Sequence, residues 1–408
     1  MIEAYLTEWF SVIVRWLHLI AGIAWVGASL HFIWLDNSLE APEEQDKAEG
    51  VKGSLWSIHG GGIYNFRKYE LAPPVWPKRL HWSKWEAYST WITGTLLMVA
   101  IYYLQATTYL VGPGKWLQDP GLAVLGSLGF LASGVLIYEA LIRSPLRFQT
   151  RLFAAILIAF VILQCWLASR LFSDRASFLH VGALLGTIMA GNVFLGIIPT
   201  QKRFVAAVQS GQVPDADAAA LAKQRSTHNN YFTLPVLFCM VSNHSPFLYG
   251  HPQNWVILVC ILGIVAYARH FFNLRHRGIV DYKILVTAFA AFLALATWLG
   301  FESFSPSARG VAEETSQVSA VDDAVALGII DRHCRVCHSV SPTHPGFVAP
   351  PAGVLMDDPD VYRRSASQML VAIRTGYMPL GNVTGMTQAE KDQVIGWLEQ
   401  EIRDGGVD

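Results

Sequence analysis

Residues 9–35 read WFSVIVRWLHLIAGIAWVGASLHFIWL, with Arg15 as the only residue of fixed charge. At 1.5 Å per residue such a helix extends roughly 40 Å, longer than the roughly 30 Å hydrocarbon core of a bilayer. The stretch predicts a membrane-crossing helix. Apolar runs of similar kind recur at 88–110, 121–142, 152–172, 176–199, 231–248, 255–272 and 284–304. The predicted fold class is therefore all-α: a polytopic membrane helix bundle of about eight spans. The sixth run is the least regular, because it holds Pro235, Asn243 and His244. Composition agrees: 52% of residues are hydrophobic and 15% charged, against roughly a quarter charged in soluble domains. A net charge of −1 offers nothing to nucleic acid.

Loop charges set the expected orientation. Lys47, Lys52, Arg67, Lys68, Lys78, Arg79 and Lys84 follow the first run; Arg143, Arg147 and Arg151 follow the third; Lys202, Arg203, Lys223 and Arg225 follow the fifth. The alternate loops carry little more than Lys115, Arg170 and Arg175. The positive-inside rule puts the odd-numbered loops in the cytoplasm and both termini outside. No cleavable leader is expected, since no basic segment precedes the first run. Beyond 284–304 the chain turns small and polar (SPSARGVAEETSQVSA). The expected organisation is a membrane domain at 1–304, a flexible linker at 305–320 and an outer soluble domain at 321–408.

Within that last domain Cys334-Arg335-Val336-Cys337-His338 is C-x-x-C-H, the attachment signature of c-type haem. Cys334 and Cys337 would bond covalently to the haem, and His338 would be the proximal iron ligand. The run Gly376-Tyr377-Met378-Pro379 resembles the Met-Pro segment of class I cytochromes c, so Met378 is the expected distal ligand. Met356, Met369 and Met386 compete, the first two reading better as packing residues. Thr387-x-x-Glu390 ahead of Val394, Ile395 and Trp397 reads as a capping box opening a terminal helix. Pro350-Pro351 resembles the segment whose carbonyl accepts the proximal His Nδ1–H. Cys165, Cys239 and Cys260, each alone in an apolar run, read as buried small hydrophobes.

Ionisable residues at membrane depth are costly and so are functional candidates. Leu17-His18-Leu19-Ile20-Ala21 aligns with Leu179-His180-Val181-Gly182-Ala183, four spans later. That spacing suggests a 4+4 duplication in which His18 and His180 could ligate a haem b, with His244 as a substitute ligand. The first inner loop is long and rich in glycine, aromatics and cations (WSIHGGGIYNFR, residues 56–67), and Thr227-His228-Asn229-Asn230-Tyr231 opens the sixth run. Either could line a pocket for a flat polar anion; equally, they could be an interfacial belt and a helix cap.

The segments WLHLIAGIAWVGASLHF, HGGGIYNF and THNNYFTLPVLF together resemble the bacterial membrane-bound urate oxidase family, which joins an eight-span domain to a C-terminal cytochrome c. The resemblance covers essentially the whole chain. It implies a transmembrane urate oxidase domain, oxidation of urate to 5-hydroxyisourate, and electrons leaving through haem to a soluble or membrane cytochrome or oxidase. The implied location is the bacterial inner membrane, with lipid and no nucleic acid as surroundings. It carries over no catalytic residues; from the residues themselves Arg67, His228, Asn230 and Tyr231 are the expected urate-site groups. The alternative is a non-catalytic haem electron-transfer subunit linking quinol or a partner dehydrogenase to a periplasmic cytochrome.

Overall fold

Helix α1 (Ile2–Ser38) is continuous and leads into an antiparallel pair, β1 (Val51–His59) and β2 (Gly62–Tyr69). Helices α2 (Trp85–Leu97), α3 (Pro120–Arg143), α4 (Thr150–Leu171), α5 (Asp174–Gly191), α6 (Ala216–Val241), α7 (Asn254–Arg275) and α8 (Lys283–Phe304) follow. The C-terminal part holds α9 (Asp323–His333), α10 (Ala366–Arg374) and α11 (Gln388–Asp404). This computed structural model describes residues 2–275, 278–304, 322–344, 347, 349–374 and 376–404. The linker expected at 305–320 lies outside the described residues.

Among the described residues, six helices are long and apolar enough to cross a membrane: those based on α1, α3, α4, α5, α7 and α8. This is a multi-pass membrane protein. The other two expected spans are helical but differ from the sequence reading. Helix α2 has only 13 α-helical residues before a π-helical segment, Met98–Tyr103. Helix α6 begins fifteen residues before the expected 231, and its first turns hold Asp217, Lys223 and Arg225. Its N-cap is Asp215, which accepts from the N–H groups of Asp217 and Ala218. Thr227–Tyr231 is therefore helix interior, not an entrance or a cap.

Helix α5 is the hub. It runs on through a π segment, Asn192–Ile197, to Gln209, and 61% of its apolar window is buried, against 17% for α1. Small residues allow this close packing. A β-carbon added at Gly134 would meet Leu184 Cγ at 2.7 Å, and one at Gly182 would meet Cys239 Cβ at 2.5 Å. Helix α1 packs instead on α2, at the edge of the bundle. The two helices that the repeat equates thus occupy unlike places.

The glycine-rich loop corrects the all-α expectation. Gly60 and Gly61 have φ of +56° and +80° and form a two-residue turn between His59 and Gly62, which pair. That turn geometry suits a hairpin, and glycine adopts it without strain. The hairpin is tied to α1 by His31 against Phe66, with ring centroids 6.3 Å apart, and by Lys68 Nζ to Asp36 at 2.8 Å.

The C-terminal helices share their own core. Ile329 and Ile330 of α9 pack with Val394, Trp397 and Leu398 of α11 and with Met369 of α10. Trp397 Nε1 donates to Asp323 Oδ1 at 2.9 Å, joining the two ends of the domain. The capping box forms: Thr387 N–H donates to Glu390 Oε2 at 2.9 Å, and Glu390 N–H to Thr387 Oγ1 at 3.3 Å.

Candidate functional site

Helices α3, α5 and α6 carry a buried polar network. Arg225 is 1% exposed and forks onto the Glu139 carboxylate, with Nη2 2.9 Å from Oε2. Its Nη1 also donates to Asn192 Oδ1 at 2.8 Å. The Asn192 amide donates both of its hydrogens, to Tyr138 Oη at 3.1 Å and to Asn229 Oδ1 at 2.8 Å. Having accepted from Asn192, Tyr138 donates its own hydrogen to His228 Nδ1, 2.7 Å away. Phe153 stacks on His228 at 5.1 Å. The π segment of α5 places Asn192 in this network. One turn on, Gly196 leaves the space that the Arg225 side chain fills. Single-turn π segments often mark functional positions.

Asn229 also lines a cavity of about 450 Å³. Trp25, Trp82 and Phe204 supply flat apolar walls, while Gln201, Ser226 and Asn229 supply hydrogen-bonding groups. No Lys or Arg lines it among the described residues; His81 is its titratable group, with Nε2 3.9 Å from Glu86 Oε1. Aromatic faces and amide edges on one open-sided cavity suit a planar, polar small molecule.

The four expected urate-site residues are not brought together. Arg67 lies on β2 and is engaged by Asp46 at 3.1 Å and Glu49 at 3.2 Å. His228 faces Tyr138; Asn230 accepts from Arg269 Nε at 2.6 Å; Tyr231 Oη is 2.6 Å from His270 Nδ1. Successive helical residues point about 100° apart, so a run of neighbours cannot line one pocket. The readable signal was the stripe Arg225, Asn229, Thr233, spaced four apart on one face of α6. Asn192 and Gln201 had no comparable sequence signal.

His18 and His180 hold different partners. His18 Nδ1 donates to Thr90 O at 3.0 Å, beside Thr93 Oγ1 at 3.1 Å. His180 is fully buried; its Nδ1–H donates to Ala176 O at 2.8 Å, and its Nε2 is 2.8 Å from Ser127 Oγ. Ser127 in turn meets Tyr103 Oη at 2.8 Å. Phe172 stacks on the His180 ring at 4.1 Å, with Tyr102 and Phe130 against its edges. A porphyrin does not fit this packing, in which both ring nitrogens are engaged and aromatic rings close around the imidazole. The surroundings of His18 and His180 therefore do not form the expected bis-histidine haem b site. His244 is exposed in a 3-10 turn beyond α6.

A second cavity, of about 140 Å³, is lined by Cys334, Cys337, His338 and Met378, with Met356 and Met369 behind them. His338 Nδ1–H donates to Val354 O at 3.1 Å, which directs the other ring nitrogen away from that carbonyl. The acceptor is thus Val354, not the Pro350-Pro351 carbonyl expected from sequence. Burial pushes the Cys334 thiol up to about 12 and the Cys337 thiol up as well, so neither is an activated free thiolate. Two thiols, an oriented imidazole and a thioether on one apolar cavity fit a covalently attached haem.

Residues 4–300 match the family model described as Urate oxidase N-terminal, which spans more than half of the chain; the protein belongs to that family. No curated protein and no solved structure matches it.

Proposed function

We propose that this member of the urate oxidase N-terminal family is a membrane-bound oxidase that converts urate to 5-hydroxyisourate and passes the electrons to its own haem c. The carrying observation is that every wall of the 450 Å³ cavity comes from the region matched by the family model. Urate plus water gives 5-hydroxyisourate, two protons and two electrons. Trp25, Trp82 and Phe204 would hold the faces of the purine, and Gln201, Ser226 and Asn229 its edges. His81, backed by Glu86, is the group placed to take a proton from substrate or water. Asn192 fixes Asn229, and the Arg225–Glu139 pair fixes Asn192, so the network holds the cavity's amide in one orientation.

Cys334, Cys337, His338 and Met378 would hold the haem, which when bound accepts one electron at a time. The stretch of α5 from Met189, on the first cavity, to Arg175, on the second, is roughly 20 Å long. Rings bridge the last part of that interval: Phe172 to His180 at 4.1 Å, His180 to Tyr102 at 5.7 Å, and Tyr102 to Tyr109 at 6.4 Å. This series supports an electron route along α5. The loop charges support an outward-facing cytochrome domain; the apolar runs support eight spans, and the family resemblance supports the bacterial inner membrane and onward transfer to a soluble or membrane cytochrome or oxidase.

The test is urate-dependent reduction of added cytochrome c by the purified chain. Gln201→Ala, which removes one hydrogen-bonding edge, should raise the KM for urate about 2- to 10-fold. Trp82→Ala should raise it at least as much, and the c-type spectrum should be unchanged in both. Wild-type KM in both variants would place the substrate elsewhere. No urate oxidation by any preparation that holds haem would leave the electron-transfer-subunit reading.

A further inference from the structure

The cavity that holds the C-x-x-C-H residues is not built by the C-terminal domain alone. Tyr109 and Arg175, from the membrane domain, line it as well. The two parts also touch through Tyr249 and Tyr377, whose rings lie 6.3 Å apart at 64°. Tyr377 adjoins Met378 in sequence, so this contact lies beside the expected distal ligand.

Three buried polar atoms on this one cavity lack a hydrogen-bond partner: Arg175 Nε, Thr384 Oγ1 and His333 Nδ1. Buried polar groups are ordinarily paired, so three orphans on one lining point to a missing polar ligand. Two of the three are donors in any state, a guanidinium N–H and a hydroxyl. His333 can join them only as the imidazolium, because its Nε2 faces the Glu390 carboxylate at 3.4 Å. No Asp or Glu lines the cavity among the described residues. The Arg175 guanidinium lies over the Tyr109 ring, 5.5 Å from its centroid. It is not among the ion pairs of the described residues, although Lys115 and Asp174 pair close by at 2.6 Å. A permanent cation with an unpaired donor, on an apolar cavity fitted for haem, is a carboxylate site.

We propose that Arg175, together with Thr384, binds a haem propionate, so that the membrane domain completes the haem c site. This rests on the haem reading above. Its consequence is that the cytochrome domain docks with its haem edge against the helical turn Ala106–Tyr109 and the start of α5, where Tyr109 and Tyr102 lead towards His180. A cation beside a propionate favours the reduced haem, so Arg175 would raise its reduction potential.

The test is a potentiometric titration of the c-type band in the full chain, purified in detergent. Arg175→Gln should lower the midpoint potential, and Arg175→Lys should restore most of it. Arg170→Gln is the control: Arg170 stands at the same end of the bundle, against Trp166, but not on the cavity. It should leave the potential unmoved. Thr384→Val, within the C-terminal domain, gives a second reading and should shift the potential in the same direction. An unmoved potential in both Arg175→Gln and Thr384→Val, or an equal shift in Arg170→Gln, would overturn the shared site while leaving the haem reading intact. A wild-type chain with no c-type haem in a pyridine haemochrome assay would instead sink the haem reading, and this inference with it.

Discussion

Gly196 is the position where the polar network can be broken without touching any group that makes it. A β-carbon there would overlap Arg225 Cδ and lie 2.5 Å from Nε and 3.0 Å from Cζ. Arg225 is 1% exposed, so the side chain has no room to swing aside. Two responses to Gly196→Ala are open. Keeping the Glu139 fork and straining the helices costs about 1–3 kcal/mol, as overpacking does. Releasing the guanidinium strands a buried charge at about 3–5 kcal/mol. The cheaper route sets the loss, so Gly196→Ala should destabilise by up to about 3 kcal/mol. In an Arg225→Ala background the obstacle is gone. The same change should then be neutral or stabilising by up to about 1 kcal/mol, because alanine is the better helix residue. The assay is thermal unfolding in detergent by tryptophan fluorescence, for wild type, both single variants and the double. A sign reversal between backgrounds is expected. An equal loss in both would refute the view that Gly196 exists to seat Arg225.

The Glu390 carboxyl is held down to about 2 by the Thr387 N–H and hydroxyl, against an ordinary value of 4.5. A depressed folded value means that its contribution to stability is complete above about 4.5 and lost as pH falls through about 2. Glu390→Gln should therefore flatten the acid side of the C-terminal domain's melting profile in that window; an unchanged profile would show that the capping box is not coupled to folding. His18→Ala and His180→Ala should leave the pyridine haemochrome at one c-type haem per chain. A b-type signal in wild type that disappears in either variant would contradict the packing argument at His180.

The helices were legible because lipid demands long apolar runs, and a run is a local property. The hairpin has a signal in the sequence: Trp56, Ile58 and Tyr64, Phe66 alternate on either side of Gly60-Gly61. Glycine, aromatic and cationic composition suggests a loop, but the period of two marks strands. In the membrane domain, neighbours in sequence are not neighbours in space. His228, Asn230 and Tyr231 diverge around α6, whereas Asn229 meets Asn192 across 37 positions. The His18–His180 repeat matched in letters but not in surroundings, since α1 is peripheral and α5 central. The C-x-x-C-H group is legible because its residues are contiguous in sequence, whereas the Arg175 and Tyr109 walls of the same cavity come from helix ends far away in sequence.

The most direct test of the whole account is an anaerobic reduced-minus-oxidised spectrum of the purified chain before and after urate is added. The account predicts that urate alone reduces the c-type band, with 5-hydroxyisourate formed at one molecule for every two haems reduced. A band that dithionite reduces but urate leaves oxidised would contradict it.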